Sequence, residues 1–471
     1  MRRAISIFAV AMLLWSCGGS AASPSGGGAG PTSAASAAAP STPAGESASP
    51  PPAAEASPTP NTGLCAAKTA EEATFTFWTF VDRHATWWQK RADEWNTANP
   101  DKKITLNCSN IPYEQMHNNL AAAFTAGSGA PNIVDIEIGK FANFTKGTIH
   151  LVDMTAEAQS FAPDLVATRL APYQANGKQY AVDYHLGAVL AFYNKEILDA
   201  ANVDPASIKT WDDYIAAGKK VQTAKPDVAF SAIDITGVIP VRSLMLQAGG
   251  GVYDQGGNLI MNSDANVRAL QLVAKMVNED KIAIAAPGGN NGSPDFYSAM
   301  QAGKIASVWM PQWYMTRFPD NMDSLCGHMV IQPMPTFSGG QFTTTMQGGT
   351  GTAVTDQTPA DKQQLAKDFV TWAKLTKEGQ TSIWTDLGFD PYRTDVYDDP
   401  ALRKPDPCFN NQITFDVIKS ELAGVAPEYT GPAYPQAQDY LNNTLINDVL
   451  VNKVDPKEAL DTAQQTIESQ Q

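Results

Sequence analysis

The chain has 471 residues, of which 43% are hydrophobic and 17% are charged, and both values are ordinary for a globular protein. Its 33 Lys and Arg against 48 Asp and Glu give a formal net charge of −15. This acidic balance, without any basic run, argues against nucleic acid and against an anionic membrane surface as partners. The part of the chain from about residue 63 onward is long for one hydrophobic core and should divide into two lobes.

The first residues predict export. The basic pair Arg2-Arg3 precedes an apolar run over 4–15, and Ser16-Cys17-Gly18 follows. This pattern is typical of a secretory signal, and the apolar run is too short to span a bilayer. Cys17 at the cleavage point, with Leu14 before it, resembles a bacterial lipoprotein signal, in which the cysteine is acylated and becomes the N-terminus. Trp15 departs from that pattern, and a plain signal peptide is the alternative.

Residues 18–62 predict a tether. The segment consists almost entirely of Gly, Ala, Ser, Thr and Pro, and only Glu46 and Glu55 carry charge. Such a composition cannot bury enough apolar surface to offset the entropy of ordering. A flexible tether after a lipidated cysteine fits a protein held at the outer face of the cell membrane.

Four further cysteines stand in the exported part of the chain: Cys65, Cys108, Cys326 and Cys408. An even number in an exported chain favours disulfides, and four cysteines allow three connectivities. None has the CxxC spacing of a zinc site, and no histidine stands at ligand spacing. We therefore expect no metal.

Strands and helices alternate along the first part of the exported chain. Residues 73–80 alternate β-formers and predict a strand, and 84–98 has aromatic residues at helical spacing. A strand over 103–111, a helix over 113–126 and a strand over 133–138 follow. This alternation predicts an α/β fold with a parallel, doubly wound sheet.

Further elements are predicted along the rest of the chain. They are a strand pair over 179–194, a helix capped by Thr210, a helix over 266–279, strands over 305–309 and 328–334, a helix over 361–375, and helices over 443–452 and 456–469.

This order of segments resembles the extracellular solute-binding proteins of bacterial ABC transporters, in the large sugar-binding group, family 1, that includes maltose-binding protein. The segments that carry the resemblance are FTFWTF at 75–80, APNIVDIEIGKF at 130–141, YAVDYHLGAVLAFYNKEIL at 180–198, KTWDDYIAAGKKV at 209–221, GKIASVWMPQW at 303–313 and QPMPTF at 332–337. The stretches HNNLAAAFTAGSGAP and DIEIGKFANFTKG look most like a branch that handles arabinose-containing or lactose-like oligosaccharides.

The resemblance implies a two-lobe periplasmic-binding-protein-like type II fold with hinge crossings and a central ligand cleft. Carried onto this sequence, lobe one comprises 65–187 and 350–392, and lobe two comprises 188–349 and 393–471. It further implies a monomeric carbohydrate receptor without cofactor or catalysis, which delivers a mono- or oligosaccharide to the permease subunits of an ABC importer. Proximity in this fold favours the disulfide pairs Cys65–Cys108 and Cys326–Cys408.

The candidate ligand contacts lie at strand ends and at the crossings, because ligands of open α/β sheets bind at the carboxyl ends of strands. They are Phe80, Asp82, Arg83 and His84 after the first strand, Glu137 and Lys140 after the third, Asp183, Tyr184 and His185 at the first crossing, Trp313 and Tyr314 in lobe two, Gly348 and Gly349 at the second crossing, and Arg393 at a third. Trp313 is the best candidate for stacking on a sugar, whereas Trp309 is predicted to belong to the core. Tyr434 is a weaker candidate contact.

Two other functions remain open from the sequence. A secreted glycoside hydrolase needs only two suitably spaced carboxylates, and Asp82, Glu137 and Asp183 are all candidates. A receptor for a peptide, a polyamine or a metal is the other alternative. Aromatic residues with a mixed polar rim favour sugar over polyamine, which would want more carboxylates.

Overall fold

The computed structural model describes residues 73–470. The predicted signal, the linker over 18–62, the lipidation site Cys17 and the disulfide candidate Cys65 lie outside these residues. Within them, no helix is both long and apolar enough to cross a membrane.

Fourteen strands and sixteen α-helices are numbered here in chain order. The strands are β1 (Ala73–Thr79), β2 (Ile104–Asn110), β3 (Ile133–Glu137), β4 (Gln174–Ala175), β5 (Lys178–Gln179), β6 (Ala181–Val182), β7 (Val189–Asn194), β8 (Ser231–Ile233), β9 (Ala283–Ala285), β10 (Ser307–Pro311), β11 (Met329–Pro333), β12 (Thr344–Thr345), β13 (Thr350–Val354) and β14 (Val425–Ala426) among residues 73–470. The helices of the same range are α1 (Asp82–Ala98), α2 (Tyr113–Ala126), α3 (Ile138–Phe141), α4 (Thr155–Gln159), α5 (Lys195–Ala200), α6 (Trp211–Ala224), α7 (Ile239–Gln247), α8 (Asp264–Ala274), α9 (Pro294–Gln301), α10 (Arg317–Asn321), α11 (Gln363–Leu375), α12 (Lys377–Ser382), α13 (Thr414–Glu421), α14 (Tyr434–Tyr440), α15 (Ile446–Leu450) and α16 (Pro456–Glu468).

The first sheet has five strands in the order β2-β1-β3-β13-β6, and it is mixed rather than parallel. Strand β1 pairs in parallel with β2 and β3, as the alternation of strands and helices predicts. Strand β13 runs antiparallel to both β3 and β6, so the prediction of a parallel sheet is wrong on this side. The reason is that β13 enters from a distant part of the chain and not through a helical crossover from its neighbour.

The second sheet has three strands in the order β10-β7-β11, and β7 is antiparallel to both neighbours. Every residue of β7 and β10 is buried, because helices cover this sheet. The two sheets with their helices form the predicted two-lobe α/β fold. The first sheet falls within the ranges predicted for lobe one and the second within those for lobe two, while the exact boundaries stay a prediction.

Aromatic residues of α1 pack the first sheet against a helix from late in the chain. Trp88 lies against Phe369 of α11 with ring centroids 5.4 Å apart, and Trp95 contacts the same ring at 5.8 Å. Trp87 is buried beside them. The helical spacing of aromatic residues in the sequence therefore marks the buried face of α1.

Helix boundaries differ from the prediction at two places. Helix α1 begins at Asp82, so Asp82, Arg83 and His84 form its first turn and not a loop. A carboxylate in the first turn is favourable because it faces the positive end of the helix dipole. The helix predicted over 443–452 begins earlier, because α14 continues through a π-helical turn at Leu441–Leu445 into α15.

The predicted cap of α6 is confirmed. The Thr210 hydroxyl accepts a hydrogen bond from the backbone N–H of Asp213 at 3.1 Å. In return, the Asp213 carboxylate accepts from the backbone N–H of Thr210 at 3.0 Å. This reciprocal pair is a capping box, which satisfies donors that the first turn leaves unpaired.

A disulfide joins Cys326 to Cys408, as predicted. The bond ties the turn before β11 to a short 3₁₀ turn at 407–409. Cys108 of β2 is also disulfide-bonded. Its predicted partner, Cys65, is not among the described residues, so the pair Cys65–Cys108 stays a prediction.

Three short segments, which we call the crossings, lie between the sheets. The first crossing, 183–188, connects β6 to β7, and the second, 346–349, connects β12 to β13. The third crossing, 388–393, runs beside the first, and the backbone N–H of Leu186 donates to the carbonyl of Asp390 at 3.0 Å.

Candidate functional site

A pocket with a volume of about 280 Å³ lies where the first two crossings meet the end of β1 and the start of α1. This position follows the rule that open α/β sheets bind ligands beyond the carboxyl ends of their strands. The pocket is lined by Val81, Arg83, His84, Glu137, Tyr184, His185, Trp313, Thr316, Arg317, Asp320, Gly348, Gly349, Thr350 and Phe389. More than half of the predicted ligand contacts are therefore brought together.

The inner wall of this pocket is an aromatic pair held by a buried carboxylate. The rings of His84 and Tyr184 stack with centroids 4.1 Å apart. His84 Nδ1 lies 3.0 Å from Oδ2 of Asp135, and the Tyr184 hydroxyl donates to the same oxygen at 2.8 Å. Because Asp135 also accepts from the Thr352 hydroxyl of β13, the wall is fixed to two neighbouring strands.

Burial and neighbouring groups shift the pKa values of three residues at this wall, Asp135, His84 and Lys374. Burial would raise the pKa of Asp135, but the hydrogen bonds from His84 and Thr352 and the charge of Lys374 outweigh it, so the pKa lies below its usual value. Burial lowers the pKa of His84, and a neutral ring facing a carboxylate donates from Nδ1. Burial also lowers the pKa of Lys374 to about 7. Its Nζ lies 3.3 Å from the centroid of the Tyr184 ring.

Glu137 ends β3 and is one of the lining residues of the pocket. Its Oε2 accepts from the backbone N–H of Gly139 at 2.7 Å and from the Tyr113 hydroxyl at 3.1 Å. Burial raises the pKa of Glu137. Lys140, a predicted ligand contact, pairs with Glu114 at 3.2 Å and is not among the lining residues.

Asp183 lies beneath the pocket wall rather than on it. The residue is 0% exposed, and its Oδ2 accepts from Nη2 of Arg169 at 2.6 Å. Its Oδ1 accepts from the backbone N–H groups of Tyr184 at 2.6 Å and Thr350 at 3.2 Å. Asp183 thus has a structural role at the crossings, and we do not include it among the proposed ligand contacts.

The second crossing reaches the pocket through two glycines with positive φ angles, 72° at Gly348 and 138° at Gly349. A Cβ at Gly349 would stand 1.8 Å from Nη2 of Arg169 and 2.4 Å from Oδ2 of Asp183. Only glycine therefore fits above this ion pair, and the lack of a side chain leaves the backbone open toward the pocket.

Trp313 forms the opposite wall. Its ring is partly exposed, and Nε1 donates to the carbonyl of Gln347 at 3.2 Å. A second pocket, with a volume of about 610 Å³, adjoins the first and shares Trp313 and Arg317 with it. Tyr314 lines this second pocket and donates its hydroxyl to the carbonyl of Asn291 at 2.6 Å.

The second pocket contains a buried carboxylate that the sequence did not reveal. Asp234 is 3% exposed, and its Oδ1 accepts from the backbone N–H of Asn291 at 2.7 Å. Burial raises the pKa of Asp234 to about 7. Thr236, Asn290 and Tyr297 line the pocket around it, so the lining offers several hydrogen-bonding groups.

Four further candidates lie outside the lining of these two pockets. Phe80 packs edge-on against Tyr113 at 5.2 Å, and Asp82 is exposed and accepts from Asn110. Arg393 is occupied by Asp164 and Asp395, each at 2.7 Å, and donates to the carbonyl of Leu375. Tyr434 is buried and accepts from Arg242 at 2.8 Å. Trp309 is a core residue, as predicted.

One buried residue behind the pocket wall, Asp135, carries a signal that is visible in the sequence. Asp135 is a carboxylate in an otherwise apolar strand, two residues before Glu137 on the same face. A buried carboxylate requires a partner, which marks this strand as special. Phe389 and Arg317 had no such signal, because both stand in irregular or short helical segments. Across residues 73–470, no three His, Cys, Asp or Glu side chains are grouped to hold a metal ion.

The two adjoining pockets that share Trp313 and Arg317 are together called the cleft. The fold and this cleft define a two-lobed ligand-binding protein. The family model of the bacterial extracellular solute-binding proteins matches residues 82–380. The arabinooligosaccharide-binding protein of Halalkalibacterium halodurans is 37% identical over 400 residues, which cover 83% of this chain and 88% of that protein. The arabinooligosaccharide-binding protein of Bacillus subtilis is 39% identical over 400 residues, covering 83% and 91%. The chain belongs to the family of bacterial extracellular solute-binding proteins.

Solved structures agree on the fold. The ABC transporter associated binding protein of B. animalis subsp. lactis Bl-04, in complex with β-1,6-galactobiose, has a TM-score of 0.68 at 22% sequence identity. The comparison covers 84% of this chain and 98% of that one.

Proposed function

We propose that this protein is a receptor that captures an oligosaccharide outside the cell and presents it, unaltered, to an ABC importer. The observation that carries the proposal is the partly exposed ring of Trp313, which stands in a cleft with charged groups on its rim. A pyranose or furanose ring has apolar faces and a rim of hydroxyls. An aromatic plane suits the faces, and fixed donors and acceptors suit the rim.

The polar residues of the cleft fit a neutral, hydroxyl-rich ligand. Arg83 and Arg317 supply donors, while Glu137, Asp320 and Asp234 supply acceptors. Mixed charges of this kind can bond many hydroxyls, whereas a polyamine would be repelled by the two arginines. The adjoining pockets on Trp313 suit a chain of sugar units better than a single unit.

The relatives support arabinooligosaccharides as the ligand class. Two proteins of that description share 37% and 39% of their residues with this chain over most of its length. The resemblance of 117–131 and 135–147 to an arabinose- or lactose-handling branch points the same way. The proposed contacts are therefore Arg83, His84, Glu137, Tyr184, His185, Trp313, Tyr314, Gly348 and Gly349, with the newly recognised Asp234, Arg317 and Phe389.

The N-terminal signal and the linker support a location at the outer face of the cell membrane. Cys17 is acylated, and residues 18–62 tether the domain to the membrane near the permease subunits. The protein acts as a monomer, with lobes of 65–187 plus 350–392 and 188–349 plus 393–471 that close on the sugar. The hydrolase alternative is not favoured, since the relatives are binding proteins and Asp183 is neutralised by Arg169.

Thermal unfolding with a panel of possible ligands tests this proposal. We expect arabinooligosaccharides to raise the unfolding temperature, because a ligand at 100 times its Kd stabilises by about 2.7 kcal/mol. Galacto- and maltooligosaccharides, spermidine and a short peptide complete the panel, and mass spectrometry of the recovered sugar detects cleavage. A shift by spermidine or peptide alone would contradict the sugar assignment, and cleaved sugar would favour the hydrolase.

A further inference from the structure

Gln312 stands beside the stacking residue Trp313 but faces the crossings instead of the pocket. Its backbone N–H donates to the carbonyl of Ala188 in the first crossing at 2.8 Å. Its side chain spans the third crossing, because Nε2 donates to the carbonyl of Gly388 at 2.8 Å and Oε1 accepts from the N–H of Asp390 at 2.9 Å. Gln312, which directly follows β10 of the second sheet, thus hydrogen-bonds to both the first and the third crossing.

Asp390 completes the connection with its own side chain. Its Oδ1 accepts from the backbone N–H of Gly187 at 2.8 Å, and its Oδ2 accepts from that of Ala188 at 2.9 Å. Asp390 is 0% exposed and Gln312 is 1% exposed, so water does not compete for these bonds. Hydrogen bonds to a buried carboxylate are among the stronger ones in proteins.

The second crossing is bonded differently on its two sides. The N–H of Gln347 donates to the carbonyl of Gly187 at 2.9 Å, which attaches this side to the first crossing. Beyond it, the carbonyl of Gly348 accepts from Arg169 at 2.7 Å, and that of Gly349 accepts from the N–H of Ile138 at 3.0 Å. The bonding partners therefore change between Gln347 and Gly348, where the backbone has positive φ angles.

We propose that Gln312 and Asp390 are positioning residues that join the first and third crossings into one pivot, so that the cleft closes on its ligand by rotation at Gly348–Gly349. Short segments that absorb a change of φ and ψ are the usual site of hinge motion. The pivot holds Trp313, next to Gln312, and His185, whose Nδ1 lies 3.4 Å from Oδ1 of Asp390. Both aromatic residues line the pocket, so ligand affinity depends on the pivot.

This inference rests on the proposed sugar binding, and Gln312→Met tests it. Methionine keeps the length of the side chain but removes both hydrogen bonds to the third crossing. We expect arabinooligosaccharide affinity to fall about 10-fold, mainly through faster dissociation, because a loosened pivot no longer holds Trp313 and His185 in place. Neither Gln312 nor Asp390 lines this pocket, so no direct ligand contact is removed. Asp390→Asn, which replaces one accepting oxygen by an N–H₂ group, should act in the same direction.

Gln247→Met is the matched control. Gln247 is also 1% exposed, accepts from Trp211 at 2.9 Å and donates to the carbonyls of Pro335 and Thr343 at 3.0 and 2.7 Å. Its hydrogen bonds reach none of the crossing residues, and it is not part of the lining of either pocket. Because Gln247→Met breaks hydrogen bonds of the same kind, we expect it to lose about as much thermal stability as Gln312→Met. Its sugar affinity should stay within about twofold of the wild type.

Hydrogen exchange on the wild-type protein gives a second test that needs no variant. The amides of Gly187, Ala188 and Asp390 should stay protected with and without sugar, whereas exchange near Gly348 and Gly349 should change on binding. Rapid exchange at 187 and 188 without sugar, or wild-type affinity of Gln312→Met, would overturn the pivot alone. A wild-type protein that binds no sugar would overturn the proposed function and the pivot with it.

Discussion

Replacing Asp234 by asparagine should make the protein more stable and a weaker receptor. Burial raises the pKa of this carboxyl from 3.8 to about 7, so the folded state holds its proton more tightly than the unfolded chain. Stability contributed by that proton is present at low pH and is lost as the pH rises from about 4 to about 7. Above pH 7 the folded protein therefore carries the full cost of an ionised, buried Asp234.

The size of this cost follows from the shift. About three pKa units correspond to roughly 4 kcal/mol, and an asparagine side chain avoids it because it carries no charge. The new N–H₂ group lies where Oδ2 stood, packed against Gly237, and an unpaired buried amide costs about 1–3 kcal/mol. We expect a net gain of about 2 kcal/mol for Asp234→Asn at pH 8. At pH 4 we expect a net loss of about 2 kcal/mol, because the wild-type carboxyl is then protonated and only the cost of the unpaired amide remains.

Thermal unfolding of the sugar-free protein at these two pH values measures the gain, and calorimetric titration at pH 8 measures the affinity. A carboxylate kept buried at a cost in stability is expected where the ligand uses it, so sugar binding by Asp234→Asn should weaken about 10-fold or more. Equal unfolding temperatures of variant and wild type at pH 8 would refute the reasoning on burial. Unchanged affinity would remove Asp234 from the site.

Three further outcomes are expected. Trp313→Ala should keep the unfolding temperature within a few degrees but weaken sugar binding about 30-fold, or roughly 2 kcal/mol, by titration; unchanged affinity would exclude stacking there. Gly349→Ala should destabilise the fold by about 3 kcal/mol or more in urea unfolding, because its Cβ overlaps the buried ion pair; a stable variant would show that the crossing can move aside. Replacing Cys326 and Cys408 by serine opens a loop of 82 residues and should cost about 4 kcal/mol of stability without altering affinity; weakened binding would link the disulfide to the cleft.

Local periodicity explains why the first elements could be predicted. The alternating residues of β1 and the aromatic spacing of α1 reflect which side of each element is buried, and this is a property of neighbours in the sequence. The same holds for the Thr210 cap, whose partner stands three residues away. The boundaries at Asp82 and Tyr434 were less predictable, because capping residues there are not of the usual Ser, Thr or Asn type.

Partners that come from far along the chain could not be predicted. The pairing of β13 with β3 joins residues more than 200 positions apart, and nothing in either strand specifies the antiparallel direction. The ion pair between Asp183 and Arg169 could not be predicted, because Arg169 stands in a segment without a periodic pattern. The sequence therefore left Asp183 as a candidate ligand contact. The ion pair of Arg393 with Asp164, which ends a distant 3₁₀ turn, was hidden for the same reason, and the ligand contact of Arg393 stays a prediction.

The proposed receptor function requires the cleft around Trp313 to bind an oligosaccharide and to release it unchanged. Calorimetric titration of the purified protein with arabinotriose, followed by mass spectrometry of the recovered sugar, tests it most directly. We expect saturable 1:1 binding that is lost in Trp313→Ala, with the trisaccharide recovered intact. Absence of binding for arabinotriose and every other sugar of the panel, or recovery of shorter products, would contradict it.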